Sequence, residues 1–308
     1  MGMVDFSSLI DLQIELFILM MIGYILRKIN MIPASARKSL TDLVIYVVLP
    51  ANIINSFLIE MNWDIIQSGI IVLIISIIIQ IFCQLLGKHL YPMANKKQIP
   101  VLSYGTICSN AGFMGNPLIE SIYGSTGLLF ASIYCIPQRI VMWSAGVSCF
   151  TDAKGKDVIK KVITHPCIIA VIIGMILMLT QIQLPLFLTK TIKVTSNCTT
   201  ALSMIVIGGI LAEINLKSVL NKLSLYYSFL RLIIIPAVVL SLCFLFKLSA
   251  LAVAVCTVLS GMPAGTTTAI LAEKYESDAK LAVQIVFLST ALSLITIPIL
   301  CMIIEFIY

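Results

Sequence analysis

Apolar runs of about twenty residues, separated by short loops, recur along the whole of this sequence, and they decide most of what the chain can become. A membrane-spanning helix needs about 20 mainly apolar residues. By that measure 12–29, 40–58, 65–87, 99–122, 127–149, 166–182, 195–212, 224–246, 249–273 and 279–304 are ten candidate transmembrane helices. Of the 308 residues, 60% are hydrophobic and 11% charged, which leaves too little polar surface for a soluble globule. The expected fold class is all-α, a polytopic membrane protein seated in a lipid bilayer with no separate soluble domain. Asp5 and Asp11 precede the first run with neither a basic region nor a small-residue cleavage site, so that run is expected to be retained.

The basic residues sort by loop. Arg27, Lys28, Arg37, Lys38, Lys88, Lys96, Lys97, Lys154, Lys156, Lys160, Lys161, Lys217, Lys222, Lys274 and Lys280 fall on one side of the alternation. Lys190, Lys193 and Lys247 fall on the other. Fifteen against three puts the first side in the cytoplasm and both termini on the outer side of a cell (plasma) membrane. The net charge of +6 is then a matter of topology, and no nucleic-acid partner is expected. Nine cysteines are scattered, mostly within apolar runs and without a C-x-x-C pair, and read as small buried hydrophobes rather than metal ligands or disulfides. H-E-x-x-H, G-x-S-x-G and phosphate-binding glycine loops are missing, so no enzyme, catalytic residue, metal or cofactor is expected.

The cytoplasmic linker 151–165 divides the runs into a five-helix repeat over 1–150 and another over 166–308. An odd number of spans per half makes the two halves an inverted repeat. The fourth run of each half carries a proline after a glycine: Gly115-Asn116-Pro117-Leu118 and Gly261-Met262-Pro263-Ala264. Proline lacks the backbone N–H and clashes with the preceding turn, so both runs are expected to break there, near the bilayer centre. Irregular backbone at that depth must be buried in protein or line a polar cavity, and matched interruptions in two halves point to a transporter site. The broken ends would offer an anion the amides from Leu118 onward and those of Ala264, Gly265 and Thr266, with the hydroxyls of Thr266, Thr267 and Thr268. The carbonyls around Gly115 and Gly261 would accept from a cation, a proton donor or water, and Asn110 and Asn116 add side-chain amides. Pro50, Pro137, Pro236 and Pro298 read as ordinary kinks.

Arg139 lies about eleven residues, or roughly 16 Å at 1.5 Å per residue, from each end of its run. An arginine at that depth costs about 2.5–3.5 kcal/mol to insert and should face a partner in the interior. No Asp or Glu lies at comparable depth, so a substrate carboxylate is the expected partner, with carbonyl contacts or a structural ion pair as the alternative. Gln138 beside it points to a different wall. Arg231, seven residues into its run, is expected to snorkel to the interface. Asn52 either lines the site or bonds between helices, and Asn55 is read as the latter. Glu120 is either a proton-carrying carboxylate or an exit-side charge. The candidate substrate-binding residues are Asn110, Gly115, Asn116, Pro117, Arg139, Gly261, Pro263, Gly265, Thr266 and Thr267.

Asn110 to Leu118 resembles the N-x-x-x-M-G-x-P-L motif of the auxin efflux carrier family, which groups plant PIN carriers with bacterial malate or malonate permeases; Ile122-Tyr123-Gly124 follows it. Pro263-Ala264-Gly265 and Ala272-Glu273-Lys274-Tyr275 are similar to the family's ninth-span P-x-G and A-K-E-Y, with Glu and Lys exchanged, and Val48-Leu49-Pro50 is a weaker match. The resemblance covers essentially the whole length. It implies a fold like the bile acid:sodium symporters, in which spans 1, 2, 6 and 7 form a scaffold, spans 3 to 5 and 8 to 10 form a transport core, and the broken spans 4 and 9 cross. An organic anion would bind beside the crossover, with Asn110, Pro117 and Pro263 at the site; Arg139 enters by depth alone. The long hydrophilic loop of many plant members is missing here. The expectation is a secondary transporter, or permease, that moves a malate- or malonate-like mono- or dicarboxylate by alternating access. Proton and sodium are the candidate coupling ions and a homodimer the candidate assembly. An efflux carrier for an auxin-like or other weakly acidic hydrophobic compound and an anion channel are the alternatives.

Overall fold

The computed structural model describes residues 6–58, 63–150, 164, 166–212, 219–246 and 248–307, so the linker 151–165, Thr164 apart, lies outside the described residues. Each of the ten apolar stretches is largely helical where it is described, the fourth and ninth with an interruption. The first is α1 (Phe6–Lys28); the second runs through α2 (Ala34–Leu43), a π-helical turn at Val44–Val48 and α3 (Leu49–Phe57); the third is α4 (Trp63–His89). The fourth opens with α5 (Gln98–Ile107), is interrupted, and resumes as a π turn at Ala111–Gly115 leading into α6 (Asn116–Val141). A further π turn at Met142–Gly146 leads to α7 (Val147–Phe150). In the second half, α8 (Pro166–Thr180) and α9 (Leu186–Leu211) are followed by α10 (Lys222–Phe229), a π turn at Leu230–Ile234 and α11 (Ile235–Leu245). Then come α12 (Ala250–Ser260), a second interruption, α13 (Thr267–Lys274) and α14 (Ala279–Ile307). Among the described residues there is no strand; a single antiparallel bridge pairs Ser109 with Ala264.

Four segments, Gln67–Gly87, Thr126–Phe150, Lys222–Leu245 and Ala279–Ile307, are long and apolar enough to cross a membrane by length and composition. The third stretch also shows which way its polarity runs. Ser76 and Gln80 of α4 are buried while Ile74, Ile77, Ile78 and Ile81 on the same helix are exposed. The Ser76 hydroxyl donates to the Tyr134 carbonyl at 2.6 Å. Polar groups turned inward and large aliphatics turned outward make sense when the surrounding solvent is hydrocarbon.

Prolines are accommodated in a recurring way. Pro50, Pro117 and Pro236 each stand two residues beyond a π turn, the turns ending at Val48, Gly115 and Ile234. In each, the residue just before the proline donates five residues back: Leu49 to Val44, Asn116 to Ala111 and Ile235 to Leu230. The wider turn carries the obstructing carbonyl away from the ring, and the helix continues. The expected break at Gly115-Asn116-Pro117 is therefore not found: the chain is helical there, and the interruption falls earlier, at Cys108 to Asn110. The amides from Leu118 onward are accordingly inside α6. Pro263 does stand in irregular backbone, between α12 and α13. The real corner inside α6 is Gly124, with φ 63° and ψ −160°, a conformation essentially confined to glycine. That corner ends the fourth stretch and lets the fifth begin.

Helices α1, α3, α8 and α9 pack on one another. A Cβ at Gly23 would come within 2.1 Å of the Ile205 carbonyl oxygen, and one at Gly208 within 1.9 Å of the Met20 oxygen. These glycines bring the α1 and α9 backbones into direct contact, the usual way for membrane helices to gain packing without a hydrophobic driving force. Elsewhere α4 packs on α5 and α6, α12 on α6 and α11, and α14 on α10 and α13. The two interruptions meet inside this second group.

Candidate functional site

At the meeting point the two irregular segments run antiparallel and bond through their backbones. The Asn110 N–H donates to the Pro263 carbonyl and the Gly265 N–H to the Cys108 carbonyl, each at 2.8 Å. Glycine is required at 265 by this approach, since a Cβ there would sit 2.9 Å from the Cys108 oxygen and 3.4 Å from the Ser109 oxygen. Side chains hold the segments from both flanks. Gln138 Nε2 donates to the Ser109 carbonyl at 2.6 Å, the Ala264 N–H donates to Ser289 Oγ at 3.1 Å, and Tyr104 donates to Thr267 Oγ1 at 3.1 Å. The amides of Ala264 and Gly265, expected to face a ligand, are thus used within the protein.

The helix ends that stop at the crossing leave carbonyls without helical partners. Arg231 takes two of them and one from the irregular segment: Nη1 donates to Thr106 O at 2.9 Å, Nη2 to Ser260 O at 3.0 Å and Nε to Met262 O at 3.0 Å. Arg231 is buried, so the expected snorkelling does not occur. The π turn at Leu230–Ile234 is the local reason it reaches inward, because Arg231 lies inside it with Leu230 and Leu232 also buried. Sequence position could not separate the two outcomes. Seven residues is shallow enough to reach water, and only the fold brings the two carbonyl ends to the same spot.

On the other flank is a cavity of about 450 Å³, a volume that includes the open space at its mouth. Leu49, Asn52 and Ile53 of α3 form one wall; Ser109 and Asn110 come from the first interruption and Gly112 from the π turn after it, Gly265 comes from the second and Thr267 from the start of α13. Cys135, Gln138, Arg139, Met142 and Trp143 close the remaining side. Arg139 is 6% exposed, and its Nη1 has no hydrogen-bond partner among the described residues. Its guanidinium carbon lies 5.7 Å from the centre of the Phe57 ring. Asn110 is 1% exposed, and both its Oδ1 and Nδ2 likewise lack partners among the described residues. Buried polar atoms are rarely left without a hydrogen bond, and a charged one more rarely still. The cavity also receives the first turn of the helix that starts at Ala111 and the start of α13, whose leading amides are not used by the helices themselves. An anion suits the Arg139 guanidinium, Asn110 Nδ2 and the leading amides, whereas Asn110 Oδ1 calls for a donor such as a hydroxyl.

Asn110, Arg139, Gly265 and Thr267 thus line one cavity. Pro263 contributes its carbonyl to the backbone crossing, and the Thr266 hydroxyl is buried with no partner among the described residues. Gly115 and Gly261 lie away from the cavity lining and serve close packing: added Cβ atoms would meet Leu259 at 2.4 Å and Leu300 at 2.8 Å. Asn116 is buried and accepts from the Cys135 thiol at 3.6 Å. The side chains of Pro117 and Glu120 lie outside the described residues. Asn52 both lines the cavity and donates to Ser196 Oγ at 3.0 Å. Trp143, Met142 and Ser109 carry no sequence signal of their own; they join the cavity because they neighbour Gln138, Arg139 and Asn110 in space. At one end of α13, Arg37 and Glu273 form an ion pair of 2.6 Å, and Lys274 donates to the Tyr46 hydroxyl at 2.7 Å. Both contacts link the second helical stretch to the ninth.

The membrane transport protein family matches residues 9–160 and 152–301 of this chain. The sequence is 25% identical over 307 residues to an uncharacterized transporter of Methanocaldococcus jannaschii, covering 93% of this chain and 96% of that protein. It is also 27% identical over 302 residues to an uncharacterized transporter of Methanothermobacter thermautotrophicus, covering 95% and 97% respectively.

Proposed function

From the fact that the chain belongs to the membrane transport protein family, the auxin efflux carrier family that its motifs resemble, we propose that it carries a small organic anion through the cavity beside the crossing. It is an integral membrane transporter rather than an enzyme. The observation that carries the anion reading is that Arg139 Nη1 and the Asn110 side chain, buried polar groups without hydrogen-bond partners among the described residues, belong to residues lining the same cavity.

The charge balance favours a dicarboxylate of the malate or malonate kind. Two helix N-termini add roughly half a positive charge each. With the full charge of Arg139 the site offers about +2, which a dianion neutralises and a monoanion half-neutralises. Donors in such a site are worth most where water is excluded. We read the chain as ten spans in two inverted five-helix halves, 1–150 and 166–308, joined by the linker 151–165. The antiparallel run of the two interruptions supports that reading, because inverted halves bring equivalent segments together head to tail. In this scheme α1, α3, α8 and α9 belong to a scaffold, the crossing belongs to a moving core, and the cavity between them opens to one side at a time. The ion pair Arg37–Glu273 would then latch the basic, cytoplasmic end, with both termini outside the plasma membrane.

Proteoliposome uptake tests this reading. Labelled malonate or malate should enter with saturable kinetics, and the corresponding diamide should not compete. Flux that rises without limit with concentration would indicate a channel. Uptake indifferent to substrate charge would reject the anion.

A further inference from the structure

The crossing has two faces of opposite polarity. The helix starts at Ala111 and Thr267 border the cavity through Gly112 and Thr267, whereas the Thr106 and Ser260 carbonyls, in the last turns of the helices that end at Ile107 and Ser260, bond Arg231, which is not part of the cavity lining. Two helix C-termini carry roughly half a negative charge each, about −1 together. Carbonyl ends of interrupted spans, in transporters built this way, are where a coupling cation sits. In this chain the guanidinium of Arg231 sits there, bonded to Thr106 O, Ser260 O and Met262 O at 2.9–3.0 Å.

We propose that Arg231 is the resident cation of the crossing: it occupies the carbonyl-lined seat that a sodium or potassium ion would otherwise fill, so substrate movement needs neither ion. Its single positive charge offsets the two helix ends, leaving no net field to draw a second cation. Three donors meet three carbonyls, one from the first interrupted stretch and two from the second, so the same side chain fixes how the stretches cross. It stands in contrast to Arg139, whose Nη1 makes no such bond among the described residues. One arginine neutralises the helix ends and the other faces the cavity. A mobile cation would leave the seat during each cycle and weaken the crossing as it left. A tethered one keeps the crossing intact in every state. The coupling consequence rests on the crossing being the transport site proposed above; occupation of the seat does not.

Thermal unfolding of the purified protein at equal ionic strength in sodium, potassium or choline chloride reads the seat without any substrate. A bound ion stabilises the folded state by RT times the logarithm of one plus the ratio of ion concentration to Kd, so an open seat would give a melting point several degrees higher in sodium or potassium than in choline. The expected result is the same melting point in all three salts. Arg231→Met should melt lower and recover specifically with millimolar guanidinium, a compact planar cation that can re-enter the seat. Arg231→Lys, which keeps a charge in place, should fold and remain insensitive to the salt. In proteoliposomes, replacing sodium by choline on both sides should change initial uptake by less than about twofold, well within one decade of affinity. A melting point that rises in sodium or potassium alone would overturn the proposal. So would wild-type stability in Arg231→Met, or sodium stabilisation of Arg231→Lys. Failure to find a transported anion would leave the melting series unaffected and would count against the proposed function instead.

Discussion

Gly265→Ala isolates the crossing from everything else in the protein. Its new Cβ would stand 2.9 Å from the Cys108 oxygen and 3.4 Å from the Ser109 oxygen, both backbone atoms with no rotamer to escape through. Relief requires the two segments to separate by several tenths of an ångström, and the bonds Gly265 N–H to Cys108 O and Asn110 N–H to Pro263 O are what hold them together. Overpacking of this kind costs about 1–3 kcal/mol. Weakening two buried hydrogen bonds adds about 0.5–1.5 kcal/mol each. The total of roughly 2–6 kcal/mol corresponds to a fall in melting temperature on the order of 3–9 °C for a chain of this size. Differential scanning fluorimetry in detergent measures it, with Gly209→Ala as the control. The nearest atom to that Cβ is Arg37 Cδ at 3.9 Å, an ordinary contact in a helix where alanine is the better residue. Equal melting points for Gly265→Ala and the wild type would refute the close approach on which the crossing depends.

Asn110→Ala removes a side chain that makes no hydrogen bond among the described residues, so its melting point should stay near the wild type while substrate affinity falls about 10–100-fold, the worth of one good hydrogen bond to a charged group. Competition binding against labelled dicarboxylate reads the two effects separately. Gly124→Ala places a side chain at φ 63°, ψ −160°, with open space around it but a conformation it cannot adopt cheaply; about 1–3 kcal/mol of stability should be lost by thermal unfolding. Asn221→Ala deletes the N-cap of α10, where Asn221 Oδ1 accepts from the amides of Leu223 at 3.0 Å and Ser224 at 2.9 Å; about 1 kcal/mol should be lost in the same assay.

What the sequence made legible follows from how local each feature is. Apolar runs and the distribution of Lys and Arg depend on neighbours in the chain, so helix positions could be read to within a few residues: α4 at Trp63–His89 against 65–87, for example. The location of the first interruption could not, because proline alone is ambiguous. Pro117 is absorbed by a widened turn, and the break sits at Cys108 to Asn110, where Ser109 and Asn110 favour turns too weakly to mark a break by themselves. That segment leaves the helix because bonds from Pro263, Gly265 and Gln138 offer its backbone a better partner. Such partners are 29 to 157 residues away in sequence. The same holds for Arg231, whose depth suggested an interface and whose three carbonyl partners come from other stretches. Arg139 was legible because depth itself carries the energy: a charge that cannot reach water must be met inside, and no acidic residue in the sequence lay at that level.

Replacing that one charge tests the proposed site most directly. Arg139→Gln keeps a polar side chain of similar reach and removes the charge, while Arg139→Lys keeps the charge and loses the planar fork. In proteoliposomes containing equal amounts of folded protein, saturable dicarboxylate uptake should vanish in Arg139→Gln and persist, weakened, in Arg139→Lys. Wild-type saturation and affinity in Arg139→Gln would contradict an anion site beside the crossing.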